Sequence, residues 1–442
     1  MKLMRKSSSG IPIFLNRRKG SSSVFLVMIL ASVITLVMTF VSAAMRTGAI
    51  GYMDGLVNLS GRSVLSEFDL HLKDDYGLFA FRGHKQEIIS KVTDYLSYTL
   101  DHNDYIGLSK VDANTAGYCL ADVDIFEKEV CEYTKYAIAR GFVESLLNDD
   151  DSGEGKPVDM KSDGRTLRNH KIIDQLPSGA HPGNGSIVES VKEMLTSGGG
   201  IPERGTSNYL LVQYIMHTFK NAQKDGVKRN SSADGPGSGA RSGNSDSGGK
   251  AKDTFFDSEA EYIIEGEMSD LKNRRELRAD IIKIRNAVNL LFIWTDPEMR
   301  ERVLAAAELL GTEVAAPVAA LGLSEAWALA EAENDMRILE HGKKVPLHKT
   351  KDTWATDVES VVKNKESGYI DTDSDSGLTY QGYLMMFLFV EKRALKLGRM
   401  MDLMQINIQG RYDRTFLIRE HNMGFWVKAE ADGRKYVYDQ KY

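Results

Sequence analysis

Cysteine is nearly absent: Cys119 and Cys131 are the only two in a chain of 442 residues. That scarcity excludes a small fold stapled by several disulfides. It leaves two alternatives open, a single bridge closing a loop of about a dozen residues, contributing on the order of 3 kcal/mol, or two separate thiols. The nine histidines are scattered, and neither a His-Glu-x-x-His pair nor a Cys-x-x-Cys pair occurs, so the sequence offers no footing for zinc. "SDSGGK" (245–250) has Asn244 where a phosphate-binding loop needs its first glycine and Ala251 where it needs Ser or Thr. "DTDSDSG" (371–377) alternates carboxylates as calcium loops do, but Ser376 and Gly382 stand where an EF-hand requires glycine and glutamate. Ser360 and Lys363 form a lone Ser-x-x-Lys pair without the motifs that make such a pair catalytic. No catalytic residue, metal or cofactor is expected from these patterns. Basic charge is also missing from most of the chain. Residues 1–23 carry six Lys or Arg and no acid, so the formal −6 of the whole divides into +6 on the tip and −12 on the rest. An acidic body repels phosphate backbones and excludes non-specific nucleic-acid binding.

What the chain does have is one long apolar run. Gly20–Met45 contains no charged residue, and the 22 residues from Val24 to Met45 are almost all apolar or small. As a helix they span about 33 Å, the thickness of a bilayer's hydrocarbon core. A basic cluster, Arg17, Arg18 and Lys19, precedes the run, which by the positive-inside rule puts the N-terminus in the cytoplasm and the body outside the cell membrane. A cleaved secretion signal is the competing reading, with Val41, Ala43 and Ala44 as small residues for a peptidase. The run is longer than the roughly 7–15 apolar residues such signals use, so permanent anchoring by Val24, Phe25 and their successors is preferred. Ala31, Thr35, Thr39 and Ala43 recur every four positions and offer a face for a second helix.

The basic leader, Gly20 and the apolar helix that follows resemble the pilin-like minor components of tight-adherence (Tad) pili. Processed members of that group carry glutamate five residues after the cleaved glycine, where this chain has Phe25; the unprocessed members, which keep their anchor, are the nearer match. Farther on, "GRSVLSEFDLHLKDDYGLFAF" (61–81) is similar to an uncharacterised family of single-anchor bacterial proteins encoded near Tad-pilus genes. "EYIIEG" (261–266), "RNAVNLLFIWTD" (285–296), "GKKVPLHKTKDTW" (342–354) and "LTYQGYLMMFL" (378–388) look like the same family's body. The resemblance implies a location and a set of companions; it implies no reaction.

The remaining organisation is read from periodicity. Apolar residues at helical spacing from Leu59 to Leu72 predict that the anchor continues as a long helix, ending at Gly77. A helix is expected over Lys85–Leu100, then a short strand over 118–123 and a helix over 126–147. Gly, Ser, Asp and Lys dominate 149–254, above all 225–253, which predicts a flexible insertion interrupted by one docked helix near 207–219. Asp296-Pro297-Glu298 predicts a helix start, and Ser324 another that runs to His341. A single helix is expected over Tyr380–Ile408. Alternation in 416–420, 424–430 and 435–440, with Asp432-Gly433 as a turn, predicts an antiparallel hairpin.

The reading is therefore an α+β, mostly helical protein. It comprises a basic cytoplasmic tip (1–23), a transmembrane helix (24–45), a membrane-proximal α+β region (46–148), the insertion (149–254) and a helical body with a C-terminal hairpin (255–442). Its expected partners are the lipid bilayer and other pilus or envelope assembly proteins, with no nucleic acid. Its expected role is structural or in assembly. A tethered envelope hydrolase and a ligand sensor are the alternatives.

Overall fold

The computed structural model describes residues 19–101, 106–139, 157–179, 186–196, 205–223, 254–310, 316–363, 368–372, 374 and 376–442. The architecture is α+β and mostly helical, with small antiparallel sheets. The helices among the described residues are α1 (Lys19–Leu65), α2 (Leu70–Tyr76), α3 (Lys85–Leu100), α4 (Val123–Ala139), α5 (His170–Ile173), α6 (Ser186–Thr196), α7 (Gly205–Thr218), α8 (Glu259–Glu265), α9 (Asp270–Thr295), α10 (Pro297–Leu310), α11 (Ala316–Glu340), α12 (Val358–Val362), α13 (Tyr380–Val390) and α14 (Arg393–Arg411). The strands are β1 (Phe81–Arg82), β2 (Leu108–Asn114), β3 (His421–Asn422), β4 (Gly424–Ala431) and β5 (Arg434–Lys441).

The chain divides into two compact units. The first comprises Met1–Ser66, Lys85–Asn114 and Trp426–Gln440. Its sheet has the order β2-β4-β5, with Leu108 opposite Ala431 and Asn114 opposite Trp426. The turn between β4 and β5 is Asp432-Gly433, both at positive φ (50° and 75°), the conformation that matches the twist of a two-residue hairpin. Helix α3 buries Ile88, Val92, Leu96 and Leu100, one residue per turn, and packs on α1 and on β2.

The second unit comprises Glu67–His84, Thr115–Phe425 and Lys441–Tyr442. Its main core gathers apolar residues from α2, α4, α6, α7, α8, α9, α11, α13 and α14. Segments inside 149–254 take part: Val158, Met160, Leu167, Leu176, Ile187, Val188 and Val191 are buried beside Leu211 and Ile215 of α7. Residues 225–253 lie outside the described residues. A second cluster centres on Trp327, whose ring meets Trp354 edge-on at 5.1 Å, with Ile293, Val303, Ala307 and Leu323 around it.

Several local expectations are corrected. Helix α1 ends at Leu65, and it is α2 that Gly77 caps in the left-handed conformation. The strand lies at 108–114, before the predicted 118–123, and α4 already begins at Val123. Ser324 lies inside α11 and donates back to Leu321 O at 2.9 Å. The predicted helix over 380–408 is broken at Glu391-Lys392, which takes extended backbone. Residues 418–420 form a 3-10 turn where alternation suggests a strand. In each case, tertiary packing outweighs a weak local preference.

Candidate functional site: the exposed apolar helix and the buried polar networks

From Ser22 to Gly48 every residue of α1 is exposed, and its most apolar 18-residue window has a mean hydropathy of 2.8 with nothing packed on it. Val24, Phe25, Ala31, Thr35, Thr39 and Ala43 all lie on this naked stretch. Water is a poor solvent for such a surface; its Phe, Leu, Ile, Val and Met side chains each represent about 1.5–3 kcal/mol of unrealised burial. The few hydroxyls do not spoil it. Ser32 donates to Ile29 O (2.8 Å), Thr35 to Ala31 O (2.7 Å), Thr39 to Thr35 O (2.8 Å) and Thr47 to Ala43 O (2.9 Å). Each hydroxyl is thus satisfied within the helix, as a hydrocarbon environment requires. This is a candidate membrane anchor. Of the topology-setting residues, Lys19 opens α1, while Arg17 and Arg18 lie outside the described residues.

Beyond the apolar run the same helix becomes structural. Met53 and Val57 are buried, Asp54 accepts a hydrogen bond from the Tyr438 hydroxyl, and Asn58 Oδ1 accepts one from Gln440 Nε2 at 3.2 Å. Gly61 permits this approach: a Cβ there would fall 2.7 Å from Gln440 Cγ. Helix α1 is therefore one rod whose first half is bare and whose second half is part of a folded unit.

The second unit contains two buried polar networks, neither legible in the sequence. In the first, Arg285 of α9 pairs with Asp335 of α11 at 2.9 Å, and Lys349 bridges Glu331 (2.5 Å) and Asp335 (2.7 Å), all four side chains being wholly buried. The remaining capacity goes to the connecting loop. Arg285 Nη1 donates to Pro346 O (2.9 Å) and Leu347 O (3.0 Å), Lys349 to Thr353 O (2.8 Å), and Glu331 accepts from the Thr356 amide (2.8 Å) and hydroxyl (2.7 Å). Two cations and two anions cancel in formal charge, and the tetrad pins the loop 342–356 to α9 and α11.

The second network surrounds α8, all seven of whose residues are buried. Glu259 accepts from the Lys220 amide (2.9 Å) and from Asn407 (2.6 Å). Glu261 Oε1 accepts from the Ala222 amide and the Tyr380 hydroxyl, both at 2.8 Å, while Oε2 has no partner. Burial pushes the Glu261 carboxyl up to about 7. Burial, with Asp280 adding repulsion, pushes Glu265 up to about 8. Asp402 accepts from the Ser178 amide and the Tyr262 hydroxyl, both at 2.9 Å, and burial lifts it to about 6. Arg399 closes the C-terminus of α8 by donating to Ile263 O (2.8 Å) and Ile264 O (2.6 Å). These hydrogen bonds run to the chain's own backbone and side chains and tie α8 to residues 220–222, to Tyr380 and to α14.

The remaining sequence candidates are dispersed. Cys119 and Cys131 are free thiols; Cys119 donates to Arg419 O (3.4 Å) and Cys131 to Ser207 O (3.7 Å), and burial raises the Cys131 thiol to about 11. Lys363 pairs with Glu359 at 3.4 Å on α12 and its margin. Asp371 pairs with Lys343 at 2.5 Å, which holds its carboxyl below the usual range; Asp373, Asp375 and 245–250 lie outside the described residues. Among the described residues no group of three or more His, Cys, Asp or Glu is arranged to hold a metal ion.

No curated protein and no solved structure matches the chain. One family does match, over residues 133–433, a span that includes both buried networks and leaves out the apolar stretch of α1. That span is more than half the sequence and runs through most of the second unit's core; the chain belongs to the family of unknown function DUF5702.

Proposed function

We propose that this is a single-pass membrane protein, N-terminus inside, whose extracytoplasmic body works by protein contacts as an accessory or minor pilin-like component of a Tad-type pilus or similar envelope machine. The observation that carries the reading is the bare apolar half of α1, with its hydroxyls turned inward and its second half built into a folded unit. Such a rod holds its folded half at a fixed distance from the bilayer, which suits an assembly component. The pilus assignment draws on the resemblance of residues 61–81 and of the body segments to single-anchor proteins of Tad loci. The acidic body and the buried ion tetrad that pins the loop 342–356 are in keeping with a scaffold.

Two measurements test it. Protease added to intact, wall-stripped cells should remove the body; protection in intact cells with digestion after lysis would invert the orientation and sink the reading. Gentle detergent extraction should yield the protein together with pilus or envelope components. Recovery as a lone monomer, with normal pili in a strain lacking the gene, would refute the assembly role.

A further inference from the structure

The first unit contains a ruler that relates its sheet to the end of the apolar run. Tyr438 is bonded to Asp54 and Gln440 to Asn58. Four helical residues advance about 6 Å and two strand residues about 7 Å, so β5 runs alongside α1 in the same direction. Following β5 back from Tyr438 to Arg434 covers about 13 Å, equivalent to about nine residues of helix, which leads to Met45 and Arg46. Arg434 is therefore level with the last residue of the apolar run, and the Asp432-Gly433 turn lies about 3–7 Å farther toward that run. Helix α3 ends at the same level. Lys85 at its start pairs with Asp112 at 2.9 Å, α3 packs on β2, and only seven residues separate Leu100 from Leu108, so α3 runs opposite to β2 and carries Tyr95 and Tyr98 toward the Leu108 end, where Leu108 faces Ala431 beside the turn. Tyr98 is 85% exposed and Tyr95 40%.

The chemistry at that level fits one neighbour. Arg46, Arg434 and Lys435 are exposed. Of the acids there, Asp432 accepts from the Gly107 amide (3.2 Å) and Glu430 from Lys428 (2.8 Å), leaving Lys435 3.9 Å from Glu430 with 65% of its side chain exposed; Asp94 and Asp101 at the end of α3 are exposed and offset part of this positive charge. Cationic side chains and tyrosines ringing the end of an apolar helix are what a lipid headgroup layer recognises. We infer that the β4–β5 turn and the end of α3 rest on the bilayer surface, with Arg434, Lys435 and Arg46 on anionic phospholipid headgroups and Tyr98 in the interfacial layer. The inference rests on the anchor reading above. Each basic residue at an anionic surface strengthens its attraction about fivefold.

The test uses the full chain in nanodiscs of phosphatidylcholine, with and without phosphatidylglycerol, doped with a lipid that carries a photoreactive headgroup. Adducts are then mapped by mass spectrometry. Adducts are expected on residues 430–438 and 94–100 in the anionic discs, falling at least about fivefold without phosphatidylglycerol or in the R434E/K435E double variant, while adducts flanking 24–45 persist. Labelling beside 24–45 with none on 430–438, or labelling of 430–438 that is indifferent to lipid charge and to the variant, overturns the inference and leaves the anchor standing. Absence of adducts beside 24–45 removes the anchor itself, and the inference with it.

Discussion

Glu261 illustrates how much single residues carry in the second unit. Its Oε1 is doubly bonded and its Oε2 is bare, so the neutral acid, with its proton on Oε2, suits the site. The carboxyl titrates near 4.5 when unfolded and near 7 when folded. Between those values the native state holds a proton the unfolded state has released, so stability falls as pH rises from 4.5 to about 7 and is level above. The effect is on the order of 3 kcal/mol. Glu261→Gln, permanently neutral, should therefore gain on the wild type by up to that amount between pH 5 and pH 8, read from urea unfolding of the detergent-solubilised chain; parallel pH profiles would show that no proton is held there. At the tetrad, Lys349→Met leaves Asp335 paired with Arg285 but takes from Glu331 the cation that pairs with it. Removing one partner from a buried ion network costs about 3–5 kcal/mol, so the same assay should show a loss of that size. Cys119 and Cys131, which the sequence left as a bridge or two thiols, stand as two thiols.

Elements are decided by how their ends are closed. Where the signal was local, the sequence displayed it. Asp296 accepts from the Glu298 and Met299 amides at 3.0 Å, as the Asp-Pro-Glu pattern predicts; α3 spans Lys85–Leu100 as its periodicity predicts; and the Asp432-Gly433 turn joins the last two strands. Closures made at long range were hidden. The C-terminus of α8 is closed by Arg399, 134–136 residues away in sequence, and a Cβ on Gly266, which is at φ 77°, would sit 2.5 Å from that guanidinium. Gly266→Ala combines left-handed strain of about 1–2 kcal/mol with displacement of Arg399. It should lower the unfolding free energy by at least about 2 kcal/mol; an unchanged denaturation midpoint would mean that Arg399 is not needed there. The break between α13 and α14 belongs to the same class, because nothing in "FVEKRA" obliges the chain to leave the helix at Glu391.

On the scale of the whole molecule, α1 joins a bare apolar half to a packed half along one axis, and truncation separates them. A chain lacking residues 1–45 keeps Met53, Val57 and Gly61, with their partners on β5. It should be folded and recoverable without detergent. A chain lacking 1–65 loses those contacts, and its first unit should fail to fold, as judged by size exclusion and by dispersion of amide resonances. If the two truncations behave alike, the division of α1 is wrong.

The sequence alone determined the candidate anchor, the fold class and the C-terminal hairpin. Run length, residue type and turn chemistry are local quantities, and a continuous span of 22 uncharged residues needs no partner to be recognised. Tertiary structure alone decided which charges are buried. Arg285, Glu331, Asp335 and Lys349, like Glu261 and Asp402, are ordinary polar letters until chain segments many residues apart close over them. It also decided that β2, far from the C-terminus, completes the hairpin's sheet, since strand partners are chosen by packing across the fold.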